Sequence, residues 1–596
     1  MASTKDIIDA RPESIGALLT FSSTPQAIIV PVYQRFYQWD VSKILDLTHL
    51  TDPDSRDFGF IGTMVFVKDK KGRLEVVDGQ QRLISLVLIL CSLRDYIRER
   101  YIEEGDVRLN DLANDIQREN LLVSKSYSTD SDSVRLIFKR KTYEYFKNRF
   151  LYSNEEYRLE DDANKKEMKN LEQNYEQVKE YLRSKYRGQK GSIELLYRRL
   201  EKLKGLVVNA IYITEPAYAG EVFESINGTG VTLKLSELVK NYIFRSVDGK
   251  FAQERWGNIE LNAGDKGSTV ERIIKYDWQN REDISDEFEI FRSIKASINR
   301  EQIELYLVRI YKVSKIFNFY LEPTISNFKN LKLEDYQNDK NHIIKHAAAL
   351  RLLGALQFLR TIISLHSFED YIQIGDYERL LRMILNFQVR AKISGIPSND
   401  IDRMYSKTGK QLYKLHKELQ LSRNLDKDIK NKVKGILFSD LKSEMNKLSS
   451  DDAFKLGLIK FSRTRTSGKD FFKYLLATIE SQLQRKELII DGKDNKITIE
   501  EIYPQQPSDD WAGTNLSQED IYKLSNATIL VGKDNGAGSN SGIRVKLPIY
   551  KKSNLKINQE LVSILVKNGE TWNSNAIKMR EKWLADIALG IWKLNF

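Results

Sequence analysis

The stretch Arg73-Leu74-Glu75-Val76-Val77-Asp78-Gly79-Gln80-Gln81-Arg82-Leu83-Ile84-Ser85-Leu86 decides how the first third of this chain is read. Up to Gly79 it is short and rich in branched apolar residues, the pattern of a buried strand. Beyond it, apolar residues recur with helical periodicity to about Arg100. The strand-to-helix junction therefore falls on Asp78–Arg82. A carboxylate, a glycine, two amides and a guanidinium meet there. Glycine allows close backbone approach to a ligand. Amides at a helix start, together with Arg82, suit a phosphate. Asp78 suits a metal ion or a positioned water. An ordinary turn with a capping aspartate accounts for the same five residues.

Further strands are expected on either side, at Ala27–Gln34, Phe60–Val67 and Leu206–Thr214. Within Pro31–Trp39, Tyr33, Gln34 and Arg35 sit among aromatic residues. That composition suits stacking on a base, or a strand end packed by Tyr and Trp. Glu221–Phe244 reads as helix, glycine turn, helix. Asn227 lies beside its glycines, as part of a ligand loop or as a helix C-cap.

Four boxes in order, VPVYQRFYQWD, FIGTMVF, VVDGQQRLISL and VFESINGTGVTL, span about 240 residues. In order and spacing they resemble the ParB-like DGQQR domain of GmrSD-type restriction proteins. The resemblance implies a ParB/sulfiredoxin-like α/β core that binds and hydrolyses a nucleoside triphosphate, which one being open. It implies a pocket lined by Asp78, Gly79, Gln80, Gln81 and Arg82, with Tyr33, Gln34, Arg35 and Asn227, in which Asp78 and Arg82 act on the nucleotide. It also implies anti-phage defence, with double-stranded, modified phage DNA as the partner. Self-association or a partner defence protein is compatible with it.

Composition bounds the rest. A chain of 596 residues with 41% hydrophobic residues builds more than one core. Only 10 prolines and a 30% charged fraction suit helices with charged faces. A net charge of +11 favours a polyanionic partner. Cys91 is the single cysteine, so intrachain disulfides and cysteine-based zinc sites are excluded, which fits a reducing compartment. The polar start MASTKDIIDARPES lacks a signal-peptide core. The most apolar run, Leu83–Leu93, is shorter than the roughly 20 residues that span a bilayer. A cytoplasmic protein without a membrane segment is expected. The fold class is α+β, predominantly helical. Its expected parts are a nucleotide-binding domain at 1–250, a helical domain at 251–485 and a small C-terminal domain at 486–596.

The last part carries the sequences IEEIYPQQPSDDW, LSNATIL and KLPIYKKSNL, with Asn535 between the last two. They resemble the HNH-like C-terminal nuclease domain that this family often carries, a ββα-metal fold. The resemblance implies a magnesium or manganese ion on Glu500 and Asn535, with Asn526 bracing the loop. The family's histidine position is Glu501 here, and no histidine follows His416. A histidine is a good base at neutral pH, whereas a solvated glutamate is a weaker one. Glu501 either serves as base or added ligand, or the domain has lost hydrolysis. In the second case the chain is a nucleotide-gated DNA-binding sensor.

Overall fold

The computed structural model describes residues 8–19, 27–31, 34, 36–57, 59–68, 73–122, 134–138, 142–157, 165–186, 193–214, 234–247, 249–264, 266–299, 301–331, 333, 337–421, 428–464, 467–485, 497–514, 516–531 and 540–595. The chain divides into two compact units, Met1–Glu254 and Arg255–Phe596. The architecture is the predominantly helical α+β class expected from the sequence.

The first unit holds a mixed sheet of β1 (Ile8–Ser14), β2 (Ile28–Val30), β3 (Phe60–Lys68), β4 (Leu74–Asp78), β5 (Leu136–Phe138) and β6 (Val207–Ile213). Their order across the sheet is β1-β6-β3-β4-β2-β5. β3 pairs antiparallel with β4 and parallel with β6. β2 is shorter than the expected Ala27–Gln34, because Pro31 has no amide hydrogen with which to continue a ladder.

Helix α1 (Gln80–Glu104) leaves β4 through Gly79. Every residue from Leu83 to Ile97 is buried, polar ones included. A helix that is apolar all round must be covered all round. Strand side chains such as Met64, Phe66 and Val76 share its core with Leu171, Tyr175, Val178 and Leu182 of α2 (Lys165–Tyr186).

A polar knot lies inside that core. Arg94 Nε and Nη2 donate to Asp95 Oδ1 and Oδ2 at 2.8 and 2.7 Å. Arg94 also donates to the carbonyls of Phe150 and Leu151, at 2.7 and 2.9 Å. Ser153 and Tyr175 hydroxyls donate to Asp95, each at 2.7 Å. Burial pushes the Asp95 carboxyl up, but the Arg94 guanidinium and the Ser153 and Tyr175 hydroxyls together leave the group below its ordinary value.

The second unit is mostly helical, with α3 (Gly267–Gln279), α4 (Glu287–Ser297), α5 (Ile303–Leu321) and α6 (Gln337–Leu352) among its helices, and includes a two-stranded sheet of β7 (Ile497–Glu501) and β8 (Ala527–Val531). Residues expected to form separate middle and C-terminal domains lie together in this unit. Arg390, buried on α7 (Ile374–Ser394), reaches the Ser449 carbonyl at 2.8 Å, Asp451 Oδ1 at 2.7 Å and the Trp592 carbonyl at 3.3 Å. Asn386 on the same helix donates to the Lys593 carbonyl at 2.8 Å. The end of the chain is thus tied to the helical middle.

Replacing Arg94 with methionine should cost the first unit about 3–5 kcal/mol at neutral pH, because it leaves Asp95 buried without its cation. The native pair stabilises above the carboxylate range and loses that stability as pH falls through the lowered Asp95 value. The penalty of R94M should therefore shrink as pH approaches about 4. Urea unfolding curves of both proteins across pH check this.

Candidate functional site

The N-terminal junction turns in one residue. Gly79 has φ 89°. A Cβ at that position would stand 2.7 Å from Met64 Cγ, too close to be accommodated without displacement. Left-handed backbone and close approach of β3 together require glycine. Gly79 offers no side chain to cap α1, so no side-chain cap bond forms at that helix start. Asp78 ends β4 immediately before it.

Arg82 folds back over the sheet. Its Nη1 donates to the Thr63 carbonyl at 3.0 Å. It lies against Gly62, itself at φ 92°, where a Cβ would meet Arg82 Nη2 at 3.1 Å. The register of β3 against β6 shifts between Phe60 and Thr63, around this glycine. Burial lowers the Arg82 pKa and the nearby Asp78 charge opposes that shift.

The glutamines bind protein backbone. Gln81 Nε2 donates to the Phe36 carbonyl at 2.9 Å, and its Oε1 accepts from the Gln38 amide at 2.8 Å. Gln34 Nε2 donates to the Val77 and Val76 carbonyls, at 2.7 and 3.2 Å. Gln80 is buried. Between them, these bonds fasten Gln34 and the Phe36–Gln38 backbone to the junction. From α2, Glu167 accepts the Tyr37 amide at 2.7 Å, and Asn174 donates to the Tyr37 hydroxyl and Trp39 carbonyl at 2.9 and 2.8 Å. The Tyr37 hydroxyl also meets Ser85 at 2.7 Å, and burial pushes it up to about 12. Sequence reasoning gave Tyr37, Glu167 and Asn174 no role. Tyr33, Arg35 and Asn227 lie outside the described residues.

The C-terminal arrangement runs strand, strand, helix: β7, β8, then α11 (Ile543–Lys552). Earlier in the chain lie α8 (Ser398–Leu421), α9 (Asp451–Lys460) and α10 (Lys469–Gln484); α12 (Lys556–Lys567) and α13 (Ser574–Ile591) follow. Asn526, wholly buried, opens β8. Its Oδ1 accepts from the Tyr503 amide at 2.8 Å and Trp572 Nε1 at 3.0 Å. Its Nδ2 donates to the Tyr503 and Ile521 carbonyls at 2.9 and 3.0 Å. All four bonding positions of the amide are filled, which fixes the turn after β7.

Glu500 and Glu501 are adjacent on β7 and turn to different cations, as strand alternation requires. Glu500, 7% exposed, accepts from Lys546 Nζ of α11 at 2.7 Å. The same ammonium donates to the Glu501 carbonyl at 2.7 Å. Burial raises the Glu500 carboxyl above its ordinary value, with Lys546 opposing and Glu501 reinforcing the shift. The Glu501 carboxylate accepts from Arg463 and from Gln505 Nε2, the latter at 2.9 Å. Arg463 belongs to the segment between α9 and α10, and its amide donates to the Tyr522 carbonyl at 2.9 Å.

Among the described residues no three His, Cys, Asp or Glu side chains converge on a point. The two carboxylates present, Glu500 and Glu501, are each held by a protein cation. Asn535, the other expected ligand, lies outside the described residues. Arg463 and Lys546 were missed from sequence. Lys546 stands in the KLPIYKK box without any metal-ligand chemistry, and Arg463 is far upstream in an unremarkable basic run.

Comparison with known families decides the affiliation. The GmrSD restriction endonuclease N-terminal domain matches residues 15–244, and the GmrSD restriction endonuclease C-terminal domain matches residues 448–587. The chain belongs to the GmrSD restriction endonucleases. No curated protein matches it. The family supports a restriction nuclease role against phage, with DNA as substrate. The N-terminal match contains the whole Gly79 junction, and the C-terminal match contains Arg463, Glu500, Glu501, Asn526 and Lys546. No described helix is long and apolar enough to cross a membrane.

Lys546→Met should destabilise the second unit by about 3–5 kcal/mol by leaving Glu500 buried without its cation. The sign with pH is opposite to that of a well-paired carboxylate. A Glu500 value raised further in the variant means stability is lost as pH rises through the carboxylate range and regained on acidification. Thermal melts of K546M between about pH 4 and 8 read this directly.

Proposed function

We propose that this GmrSD chain is an anti-phage restriction protein that binds and hydrolyses a nucleoside triphosphate at the Asp78–Arg82 junction and acts on double-stranded, modified phage DNA. One observation carries the nucleotide half. Gly79 sets an uncapped helix start, a carboxylate and a guanidinium at one turn, beneath a segment that two glutamines hold in place. Amides at a helix N-terminus with an adjacent arginine bind phosphate well. Gln34 and Gln81 shape the pocket wall rather than contact the nucleotide, since their amides already bond backbone. The family resemblance adds Gln80, Tyr33, Arg35 and Asn227 as nucleotide-binding residues, and Asp78 orients the attacking water.

DNA strand cleavage falls to the C-terminal domain, with Glu501 at the position of the base and magnesium or manganese as the ion supplied in the assay. A second reading rests on a specific observation: Arg463 and Gln505 already hold the Glu501 carboxylate. The carboxylate is thus already engaged by two protein donors rather than left open to a water. On that reading the chain senses DNA in a nucleotide-dependent way without cutting it.

Two measurements test these readings. Purified full chain should turn over at least one nucleoside triphosphate, and Asp78→Asn should lower the rate at least about 100-fold, the scale of one positioned acid–base group. Absence of turnover with every common nucleotide sinks the nucleotide assignment. Strand breakage is then followed on modified and unmodified phage DNA, with and without magnesium or manganese. Breakage that Glu501→Gln reduces about 100-fold supports cleavage by this domain. An inert parent that gains cleavage through Glu501→His supports the sensor.

A further inference from the structure

The second unit carries a row of cations that neither family match covers. Arg403, Lys407, Lys410, Lys414 and Lys417 recur along α8 at alternating spacings of four and three residues. That spacing keeps them on one helical face. At 1.5 Å per residue the row runs for about 21 Å. Arg403, Lys407, Lys410 and Lys414 line an open groove of about 850 Å³, together with Asp283, Asn399, Asp402, Ser406 and Gln411.

The opposite face of α8 is fixed. Met404, Tyr405, Thr408, Gly409 and Leu412 are buried. A Cβ at Gly409 would stand 2.5 Å from Asn280 Oδ1 and 2.9 Å from the Arg360 carbonyl. The helix is therefore seated against its neighbours, and the cations project from a rigid support.

The acidic groups in the groove are matched. Asp402 is held by Arg360 at 2.9 and 3.1 Å. Asp283 is 96% exposed and pairs with Lys410 at 2.6 Å. Arg403, 81% exposed, meets Asp400 at 3.5 Å, and Lys407 shares Glu444 with Lys447. Exposed pairs of this kind are weak and give way to a polyanion. Lys414 and Lys417 have no ion pair among the described residues. Close by, the buried Asp277 faces two guanidiniums, Arg281 at 2.9 Å and Arg309 at 2.7 Å, so one positive charge is in excess there. Both guanidiniums lie about 6 Å from the ring of Tyr413 on α8. Burial, and then the Arg309 charge, lower the pKa of the neighbouring His416.

From this charge and shape we infer that the α8 groove holds the sugar-phosphate backbone of duplex DNA. Over about 21 Å of its axis a duplex presents about a dozen phosphate charges. A straight, rigid row of cations meets such a line without paying to order itself. The contacts are to phosphate, so they set affinity and register and read no base sequence. The inference rests on the DNA reading above and adds where the helical middle takes part.

The test uses the full chain with Arg403, Lys407, Lys414 and Lys417 all changed to glutamine, which keeps helix propensity close to that of the parent. A second variant carries the same charge change on exposed cations of the first unit: Lys43→Gln, Arg118→Gln, Lys169→Gln and Arg198→Gln. Circular dichroism confirms that both fold. Fluorescence anisotropy with a labelled duplex is followed across a salt series. The α8 variant should lose at least about tenfold in affinity near 0.15 M salt, and its log–log salt slope should become shallower by about 3 to 4. The first-unit variant should keep the parental slope. An α8 variant with unchanged affinity and slope overturns the groove, as does an equal loss in the first-unit variant. Loss confined to single-stranded DNA or RNA overturns it as well. A parent that binds no duplex DNA overturns the broader DNA reading along with it, an outcome distinct from parental binding that the α8 changes leave intact.

Discussion

One backbone turn carries the first unit. β4 and α1 are both buried, and the chain must pass from one to the other without leaving the core. Gly79 does this in a left-handed conformation, beneath a strand that leaves no room for a Cβ. A left-handed, side-chain-free junction has two consequences at once. It starts a long helix without a side-chain cap, and it leaves Asp78 and Arg82 on either side of the turn. The neighbouring Gly62 repeats the constraint on β3, with a positive φ of its own and no Cβ to crowd the Arg82 guanidinium. Packing and chemistry are therefore set by the same two glycines.

Buried polar side chains then give this core its particular shape. Apolar contact alone would let α1 slide or rotate, since it is hydrophobic on all sides. Arg94 and Asp95 are the register marks: they bond each other, two carbonyls of the Phe150–Leu151 turn, and hydroxyls from Ser153 and α2. Gln34, Gln81, Glu167 and Asn174 do the same for the Pro31–Trp39 segment. Asn526 plays this part in the second unit, satisfying backbone groups of Tyr503 and Ile521 and the Trp572 indole with one amide. In each place a short polar side chain replaces backbone partners that irregular chain cannot supply to itself.

The sequence made the periodic elements legible and left the polar partnerships hidden. The strands at β3, β4 and β6, the helix from the DGQQR box and the helical middle follow from periods of two and 3.6 residues. The expected strand Ala27–Gln34 ran past Pro31, where the ladder of β2 has stopped. The family boxes pointed to Gly79 and Asn526 as special positions. They did not show that Gln34 and Gln81 spend their amides on backbone, because the acceptors lie about 45 positions away. Nor did spacing show Arg463 against Glu501, or Lys546 against Glu500, since ion pairs between distant segments leave no periodic trace. The expected division at 485/486 ignored ties such as Arg390 to Trp592, which only the folded chain brings together.

The positive charge of this chain is used in two opposite ways, and the contrast bears on how the second unit works. Arg463 and Lys546 are drawn inward and spent on the two β7 carboxylates, which turns the expected nuclease centre into a set of closed pairs. Burial makes such pairs stiff, because removing either partner strands a charge. The α8 cations stand outward on a rigid helix, in pairs that water and salt keep loose. Inward pairing fixes β7 and its neighbours, and outward cations are available to an incoming polyanion. For Glu501 to act as the base proposed above, Arg463 would have to release it. Binding at α8 requires only exchange of weak surface partners. The proposed groove and the β7 pairs thus draw on different cations, exposed ones on α8 and buried ones at Arg463 and Lys546.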